Sequence, residues 1–428
     1  MKNFGFRKLM IFIILSATVA LAYQLPYLRF TFYDQMMSAL QLNNTQMGVL
    51  ATAIGFASTV SYPIGGFIAN RFSMKTLICS TLAAYIGLTI WFAFTTNYIM
   101  LLIIHILYGF FSIATLWSAY LTGIRNLGDE KNQSTLFGSS EATRGVIQTL
   151  MGFAFLGIMG VAATPVLGFR YVMFLGTGVI AVFLILSLIF LPKGENTTQR
   201  ESIKSEITQN DKKYTIIDVV KNKGVWVTIL VIMCAYISWT LGNGYLTTYT
   251  VQVLNVSESL ASTLGIVRSY IIVILAGFLG GWLLDKFTYK GKGFIVLFSA
   301  IAIAIAAVMF SSKVVPVCIG LTLLIAFLAN VMKSTYWSVM GQAGIPTKMT
   351  ALATGFISFI VFLPDMIVPT ICGIWIDTAA AAGNIEAGFN KIFILLIAFS
   401  LIGIIAGYIL MRRTKAMEAR GEIEKVKQ

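Results

Sequence analysis

Charged side chains are scarce in this sequence of 428 residues, because Asp, Glu, Lys and Arg together make up only 11% of it. A soluble domain carries about 25% charged residues, so the deficit excludes an ordinary water-facing surface. The single histidine argues against a Ser-His-Asp hydrolase, and the sequence has no phosphate-binding Walker loop. We therefore expect a protein that is not an enzyme, needs no cofactor and is not driven by ATP.

Cysteine is also rare, and each of the four cysteines lies inside an apolar run. Their spacing matches no metal site, and a cysteine in apolar surroundings behaves as a small hydrophobic residue. We therefore expect packing roles, and neither a disulfide nor a metal site, for Cys79, Cys234, Cys318 and Cys372.

Long apolar runs take the place of the missing charge, with 57% hydrophobic residues and a mean hydropathy of +0.84. About 20 apolar residues span a bilayer, and their backbone must be helical because lipid offers it no hydrogen-bond partners. We predict an all-α integral membrane protein whose twelve transmembrane helices form two pseudo-symmetric bundles of six. The predicted spans are residues 9–36, 46–70, 75–95, 98–124, 135–161, 170–191, 225–254, 258–284, 293–311, 314–342, 350–377 and 388–411.

A short segment that occurs twice relates the two halves. Residues 65–75 read Gly-Gly, apolar residues, Asn-Arg, Phe and a later Lys, and residues 280–290 repeat that order with Asp-Lys. The tryptophans Trp117 and Trp337 also lie in similar tetrapeptides of helices 4 and 10. The predicted domains are a six-helix bundle at 1–191, a polar cytoplasmic linker at 192–224, a second bundle at 225–411 and a cytoplasmic tail at 412–428.

The net charge of +14 comes from Lys and Arg residues that fall mainly in one set of loops. Only Arg29, Arg170, Lys313 and Lys391 lie at the opposite ends of the predicted helices. Because cytoplasmic loops are enriched in Lys and Arg, both termini are predicted to be cytoplasmic. The same topology accounts for the positive charge, so we expect lipid as a partner and no nucleic acid.

The twelve helices and the repeated turn resemble the major facilitator superfamily. Its loop motif, which takes part in the conformational change, combines a glycine with an acid, a cation and later basic residues. The matching positions are Gly66, Asn70, Arg71 and Lys75 in the first copy, and Gly281, Asp285, Lys286 and Lys290 in the second. The first copy departs from the motif, since Asn70 replaces the acid and Ser73 the second glycine. The resemblance implies alternating access around a site at mid-membrane.

Tyr27-Leu28-Arg29-Phe30, near the end of helix 1, is similar to the organophosphate:phosphate antiporter branch of that family. A helix-1 arginine binds the substrate anion in that branch, so the similarity implies this role for Arg29. The branch also carries an arginine in helix 7, and the corresponding stretch, residues 242–245, has none. Arg268 in helix 8 and Lys333 in helix 10 are the alternative cations.

Charged residues inside the predicted spans are few. A charge at the bilayer centre costs about 2.5–3.5 kcal/mol, so such residues face a partner, a cavity or a substrate. Four are cations and two are acids, and this positive excess favours an anionic substrate. They are Arg29, Glu141, Arg144, Arg268, Lys333 and Asp365.

Each titratable residue has a structural and a functional interpretation. Glu141 and Arg144 lie three residues apart on helix 5 and can form a structural pair, or Glu141 carries a proton while Arg144 meets the substrate. Lys333 and Asp365 lie on neighbouring helices of the resembling fold, as a buried pair or as a proton-coupled gate. His105 either packs through a hydrogen bond or couples transport to protons.

We therefore predict a monomeric secondary active transporter of the bacterial inner membrane that moves a small organic anion by alternating access. The substrate is expected to be a carboxylate or a phosphorylated or sulfonated metabolite, moved by proton symport or by anion exchange. A proton-coupled drug or cation exporter is the first alternative, and a non-transporting sensor is the second. Further substrate contacts are expected from Trp117, Trp337, Tyr245, Gln24 and Asn243.

Overall fold

The computed structural model describes residues 5–69, 71–127, 133–192, 214–346 and 349–422. These residues form twelve long helical segments, α1 to α12, and two short helices at Tyr33–Leu40 and Ile216–Lys221. The long segments are α1 (Phe6–Gln24), α2 (Asn44–Ala69), α3 (Met74–Phe94), α4 (Tyr98–Arg125), α5 (Gln133–Val161), α6 (Pro165–Phe190), α7 (Lys223–Gln252), α8 (258–285), α9 (Lys290–Phe310), α10 (Val315–Gln342), α11 (350–381) and α12 (Ile385–Ala419).

Large apolar side chains cover the outer surfaces of these helices. Phe310 is 92% exposed and Ile303 is 70% exposed. Extended apolar surface of this kind is costly in water and suits lipid. Over the described residues, eleven of the twelve segments are long and apolar enough to cross a membrane, and the remaining one, α2, has 26 residues. The chain is therefore an all-α, multi-pass membrane protein, as predicted.

The helices form two compact units, Met1–Lys212 and Lys213–Gln428. In the first unit, α1 packs on α5 and α6, α2 packs on α4, and α3 packs on α6. In the second unit, α7 packs on α11 and α12, α8 packs on α10, and α9 packs on α12. The same pairs recur six helices later, which confirms the predicted pseudo-symmetry between two six-helix bundles.

The predicted linker and tail are described only in part. Residues 193–213 and 423–428 lie outside the described ranges, as does Asn70 of the first repeated turn. The last helix does not end at 411 as predicted, because α12 continues through Ala419. Arg413 Nε and Thr414 Oγ1 hold this extension by donating hydrogen bonds of 2.8 Å to the carbonyls of Ala343 and Gln342.

Proline interrupts two of the predicted spans. The span 9–36 is not one helix, because α1 ends at Gln24, just before Pro26, which lacks the amide hydrogen that an α-helix needs. A 3₁₀ turn, Leu28–Phe30, follows it, so Arg29 lies in this turn and not in helix 1 as expected. In α11, the 3₁₀ turn Leu363–Met366 contains Pro364, and the regular α-helix is interrupted there.

Three other segments depart from α-helical geometry without a proline. Helix α4 contains a π-helical stretch at Ser112–Trp117, and α8 contains one at Val267–Ile271. Helix α10 has a 3₁₀ turn at Tyr336–Ser338. Each interruption contains a residue predicted for the site, namely Trp117, Arg268 or Trp337. Such interruptions are frequent at functional sites because they redirect side chains locally.

The paired glycines of the repeated turn differ in their surroundings. A Cβ atom on Gly65 would lie 3.0 Å from the Ile113 carbonyl oxygen of α4. A Cβ atom on Gly280 would lie 2.7 Å from Ser334 Oγ and 3.4 Å from the Val331 Cα of α10. The first glycine of each pair therefore lets α2 approach α4, or α8 approach α10, through a missing side chain.

We expect Gly65→Leu to lower Tm, because the added side chain collides with the backbone of α4 and overpacking costs about 1–3 kcal/mol. Gly281→Leu is the matched control, since a Cβ atom there meets nothing within 4 Å. Thermal unfolding of the purified protein in detergent measures both. Equal losses of Tm in the two variants would contradict a specific role for the first glycine.

Candidate functional site

Four aromatic side chains in the first unit form a continuous cluster between α1 and α4. The Tyr23 ring stacks on Tyr27 at 6.1 Å and meets the edge of Trp117 at 6.1 Å. Trp117 in turn lies 5.7 Å from Tyr120. Trp117, which was predicted to contact substrate, is therefore one wall of an aromatic surface.

Glu141 and Arg144 of α5 adjoin this cluster. Arg144 Nη1 donates to Glu141 Oε1 at 2.8 Å, so the pair expected from their spacing forms. The Arg144 guanidinium also lies 5.8 Å from the Tyr23 ring centroid. The Glu141 side chain remains 47% exposed and that of Arg144 19% exposed, so both groups can still exchange partners.

Gln24 joins α1 to α5. Its Nε2 donates to the Gln148 carbonyl at 2.9 Å, and Gln148 Nε2 donates to the Ala20 carbonyl at 3.0 Å. Gln24 is fully buried, and its Oε1 accepts no hydrogen bond within the described part of the chain. Gln24, which was predicted to contact substrate, thus links two helices by a hydrogen bond and keeps one acceptor oxygen unused.

Arg29 is buried beside the start of the short helix Tyr33–Leu40. Its guanidinium carbon lies 5.4 Å from the Tyr33 ring centroid. Asp34, which the sequence analysis overlooked, is buried in the same helix. The first unit therefore holds two cations and two acids, counting Asp34 with Arg29, Glu141 and Arg144, so its internal charges balance.

His105 is buried in α4, away from exposed surface. Its Nδ1 lies 2.7 Å from the Leu101 carbonyl oxygen, one turn earlier in the helix. Its ring meets the Phe92 ring edge-on at 5.2 Å. These contacts match the packing interpretation of this histidine more closely than the proton-coupling one.

Arg268 lies in the π-helical stretch of α8 and is only 1% exposed. Its Nη1 donates to Thr322 Oγ1 of α10 at 3.0 Å, and its Nη2 donates to Thr247 Oγ1 of α7 at 3.0 Å. Both acceptors are neutral hydroxyls. Across residues 214–346 and 349–422, no carboxylate lies within ion-pair distance of this guanidinium.

A second polar cluster in the same unit joins α7 and α10. The Lys333 ammonium lies 3.1 Å from the Trp239 ring centroid, well within the range of a cation–π contact. Trp239 Nε1 donates to Asn330 Oδ1 at 2.9 Å. Trp239 thus contacts and positions the cation that was predicted to contact substrate.

Asp365 connects this cluster to α11. It accepts a short hydrogen bond from the Tyr236 hydroxyl, and the Tyr236 ring lies 5.9 Å from Trp239. Lys333 and Asp365, predicted to be neighbours, therefore belong to one cluster that is linked through two aromatic rings. The 3₁₀ turn at the proline kink carries Asp365 and so places its carboxylate at this point.

Tyr245 and Asn243 lie nearby on α7. The Tyr245 hydroxyl donates to the Pro369 carbonyl at 2.8 Å, which braces α7 against α11. Asn243 Nδ2 donates to the Trp239 carbonyl at 3.0 Å. Asn243 Oδ1 is buried and accepts no hydrogen bond from the residues that the structure describes. Asn243 thus retains an acceptor that a substrate group can use.

The predicted Trp337 is less central. It lies in the 3₁₀ turn of α10, and its ring meets Tyr336 at 5.5 Å.

The residues of the repeated turns lie at helix ends. Lys75 Nζ donates to the Leu188 carbonyl in the last turn of α6, and Lys286 Nζ lies 3.4 Å from the Trp282 ring centroid. The remaining motif residues are placed at the ends of α2 and α8 and the starts of the following helices, namely Gly66, Arg71, Gly281, Asp285 and Lys290.

Sequence reasoning missed several residues of these clusters. On α7, the missed residues Tyr236, Trp239 and Thr247 are spaced at intervals of three or four positions together with the predicted Asn243, which puts all four on one helix face. That polar stripe is the signal that could have found them. Thr322 carries no comparable signal, because a single hydroxyl in an apolar run has many structural uses. Asp34 did carry a signal, because it is a charged residue inside the predicted span 9–36.

The model of the family described as Major Facilitator Superfamily matches residues 9–369. The chain belongs to the major facilitator superfamily. Membership makes the protein a membrane transporter rather than an enzyme, in agreement with the resemblance drawn from the repeated turn. It also agrees with the two six-helix units described above.

Two relatives of this superfamily member come from Escherichia coli strain K12. The inner membrane protein YqcE is 26% identical over 395 residues, which cover 89% of this chain and 90% of the relative. The inner membrane protein YihN is 23% identical over 415 residues, which cover 95% of this chain and 96% of the relative. Neither name states a substrate.

Solved structures of transporters share the fold. A bacterial homologue of the human lysosomal transporter Spinster superposes with a TM-score of 0.71 at 14% identity, covering 97% of this chain and 99% of that one. The nucleoside transporter NupG gives 0.71 at 14% identity, covering 96% and 100%. A D-xylose-proton symporter gives 0.69 at 15% identity, covering 96% and 97%. Identities this low support the fold alone.

We expect Thr322→Val to lower Tm, because the buried Arg268 loses an acceptor and a hydrogen bond to a charged group contributes about 1.5–3 kcal/mol. Thr228→Val is the matched control, since the Thr228 hydroxyl is buried on α7 without a partner in the described residues. Thermal unfolding of the purified protein compares them. The assignment fails if Thr322→Val is as stable as the wild type.

Proposed function

We propose that this major facilitator is a secondary active transporter of a small organic anion and works by alternating access. One observation carries the proposal: Arg268 is a buried guanidinium whose contacts are two threonine hydroxyls. A buried cation without an acidic partner is costly, and an anionic ligand removes that cost when it binds. Arg268 would therefore be the principal substrate ligand.

The distribution of charge supports this choice. The second unit holds Arg268 and Lys333 against the single acid Asp365, whereas the buried charges of the first unit balance. The sequence analysis counted an excess of two positive charges within the predicted spans. Counting Asp34 lowers this excess to one. The remaining excess lies in the unit that contains Arg268, which favours this unit as the place where the anion binds.

The chemistry of the ligand follows from the geometry of the donors. A planar guanidinium suits two oxygens of one carboxylate, phosphate or sulfonate group. Lys333 and Asn243 lie on the helices that also hold the partners of Arg268, and they offer a second cation and an unused acceptor. We infer a substrate that carries one anionic group and one hydrogen-bond donor, such as a hydroxyl group.

Asp365 is the candidate for coupling to protons. Its carboxylate accepts a hydrogen bond from the Tyr236 hydroxyl and is linked through two aromatic rings to Lys333, so a change in its charge alters the cluster that holds this cation. Proton symport would use this change, whereas anion exchange would not need it.

The names of the two relatives and the loop charges favour the inner membrane, with both termini in the cytoplasm. We also propose that the protein is a monomer.

We expect Arg268→Gln to abolish the stabilisation of the purified protein by an anionic ligand. The probes are small carboxylates, phosphate esters and sulfonates, tested by thermal shift against neutral sugars and cationic dyes. Loss of charged hydrogen bonds worth about 1.5–3 kcal/mol should weaken binding at least tenfold. Arg170→Gln is the matched control, because Arg170 lies in the other unit, where it donates to the Ala93 carbonyl and contacts the Phe94 ring.

A different result would favour the cation exporter. The exposed carboxylate of Glu141 lies beside the aromatic cluster of Tyr23 and Trp117, which is a surface suited to an organic cation. If only cationic dyes stabilise the protein, and Arg268→Gln leaves that shift unchanged, the anion proposal is wrong. Glu141→Gln should then remove the stabilisation.

A second prediction separates coupling from binding. In proteoliposomes, Asp365→Asn should retain exchange of substrate between the two sides but lose accumulation driven by a proton gradient, because the side chain no longer binds and releases a proton. Tyr236→Phe keeps the carboxylate and should retain some proton-driven accumulation. Equal proton-driven accumulation by wild type and Asp365→Asn would exclude this residue as the coupling acid.

A further inference from the structure

A cleft outside the clusters described above lies at the end of α8, the start of α9 and the extension of α12. It has a volume of about 370 Å³. This volume falls within the range of about 300–1,000 Å³ that small-molecule sites occupy. Its lining includes Lys286, Thr288, Tyr289, Lys292, Met411 and Lys415.

The cleft lies at the level where the membrane meets water. Trp282 is exposed one turn before Lys286, and the Lys286 ammonium covers its ring at 3.4 Å. Tyr408 is exposed one turn before Arg412, whose guanidinium carbon lies 5.9 Å from the ring centroid. Exposed Trp and Tyr side chains mark the membrane interface, so the lysines beyond them lie among lipid headgroups.

The charge of the cleft is strongly positive. Among the described residues that line it, three are lysines and none is acidic. Lys286, Lys292 and Lys415 form no ion pair with any carboxylate in the described part of the chain. Glu418 of the α12 extension accepts a hydrogen bond of 2.9 Å from the Tyr289 hydroxyl. That bond raises the pKa of the Tyr289 phenol, which therefore stays neutral and adds no negative charge.

Hydrogen bonds hold the walls of the cleft in place. The Lys290 backbone amide donates to Gln342 Oε1 at 2.8 Å, and Gln342 Nε2 donates to the Thr288 carbonyl at 3.1 Å. Thr414 of the α12 extension donates to the Gln342 carbonyl at 2.8 Å. One glutamine thus links the loop before α9 to the extension, so the backbone segments that carry these lysines are held together before any ligand arrives.

We propose that this cleft binds the headgroup of an anionic phospholipid through Lys286, Lys292 and Lys415. Three lysines that line one cleft, without an ion pair to a described carboxylate, suit a phosphate, and basic pockets between membrane helices recognise lipid headgroups in this way. The exposed Trp282 below the cleft and the Met411 in its wall favour a lipid over a soluble phosphate, because both offer apolar contact to the acyl chains. The inference does not depend on the identity of the transported substrate.

The test compares two double variants of equal charge change in full-length protein purified in an uncharged detergent. Lys292→Gln/Lys415→Gln removes two cleft cations, and Lys313→Gln/Lys391→Gln removes two lysines from outside the cleft. Each lysine near a lipid surface contributes about fivefold in affinity, so losing two weakens binding on the order of 25-fold. Tm is measured with phosphatidylglycerol, with phosphatidylcholine and with inorganic phosphate at the same concentration.

Phosphatidylglycerol should raise the Tm of the wild type and of Lys313→Gln/Lys391→Gln, whereas phosphatidylcholine and inorganic phosphate should not. Most of that shift should be lost in Lys292→Gln/Lys415→Gln and restored in Lys292→Arg/Lys415→Arg, which also controls for misfolding. Native mass spectrometry should count at least one more retained phosphatidylglycerol on the wild type than on the Gln variant. Equal lipid shifts in both Gln variants would overturn the proposal, and so would an equal shift with inorganic phosphate.

Discussion

A peptide group inside lipid must find its hydrogen-bond partner within its own helix, and this constraint governs the whole chain. It explains why the described residues form long helices and why apolar side chains cover their outer faces. It also gives meaning to the places where the helices are interrupted. An interruption at membrane depth loses or distorts backbone hydrogen bonds, so it persists where neighbouring side chains compensate. The interruptions at Trp117, Arg268, Trp337 and Asp365 all lie in or beside the polar clusters.

The two units share their helix pairing but differ in the chemistry they bury. The first unit pairs Arg144 with Glu141 and adds an aromatic surface around Tyr23. The second unit holds Arg268 between neutral hydroxyls and Lys333 against an aromatic face. The repeated sequence thus preserves the packing, which depends on small residues such as Gly65 and Gly280, while the charged positions have diverged. An asymmetric substrate needs such a difference, because a symmetric pair of units would offer two equivalent sites.

Sequence alone predicted the fold well, since hydrophobic runs of membrane length and a repeated turn are strong signals. It failed at one local helix break and where tertiary contacts decide the outcome. Pro26 ended α1 early and moved Arg29 into a turn, although the apolar run continued without a break. The candidate residues Lys333 and Asp365 were found because charge is rare in lipid, whereas Tyr236 and Trp239 resembled ordinary packing residues. Asp34 offered the same signal, since it lies inside the predicted span 9–36, but a charge so close to the end of a span can also reach water, and its burial shows only in the structure.

The π-helical stretch of α8 has a consequence for how this helix can vary in length. Arg268 lies within that stretch, and Gly280 lies farther along the same helix, where it packs against α10. Inserting one residue between them would rotate one contact by about 100° relative to the other. Either the guanidinium would leave its two threonines, or Leu279 would take the place of the glycine at the helix crossing. The segment between the two residues therefore cannot gain a residue without the loss of one of these two contacts.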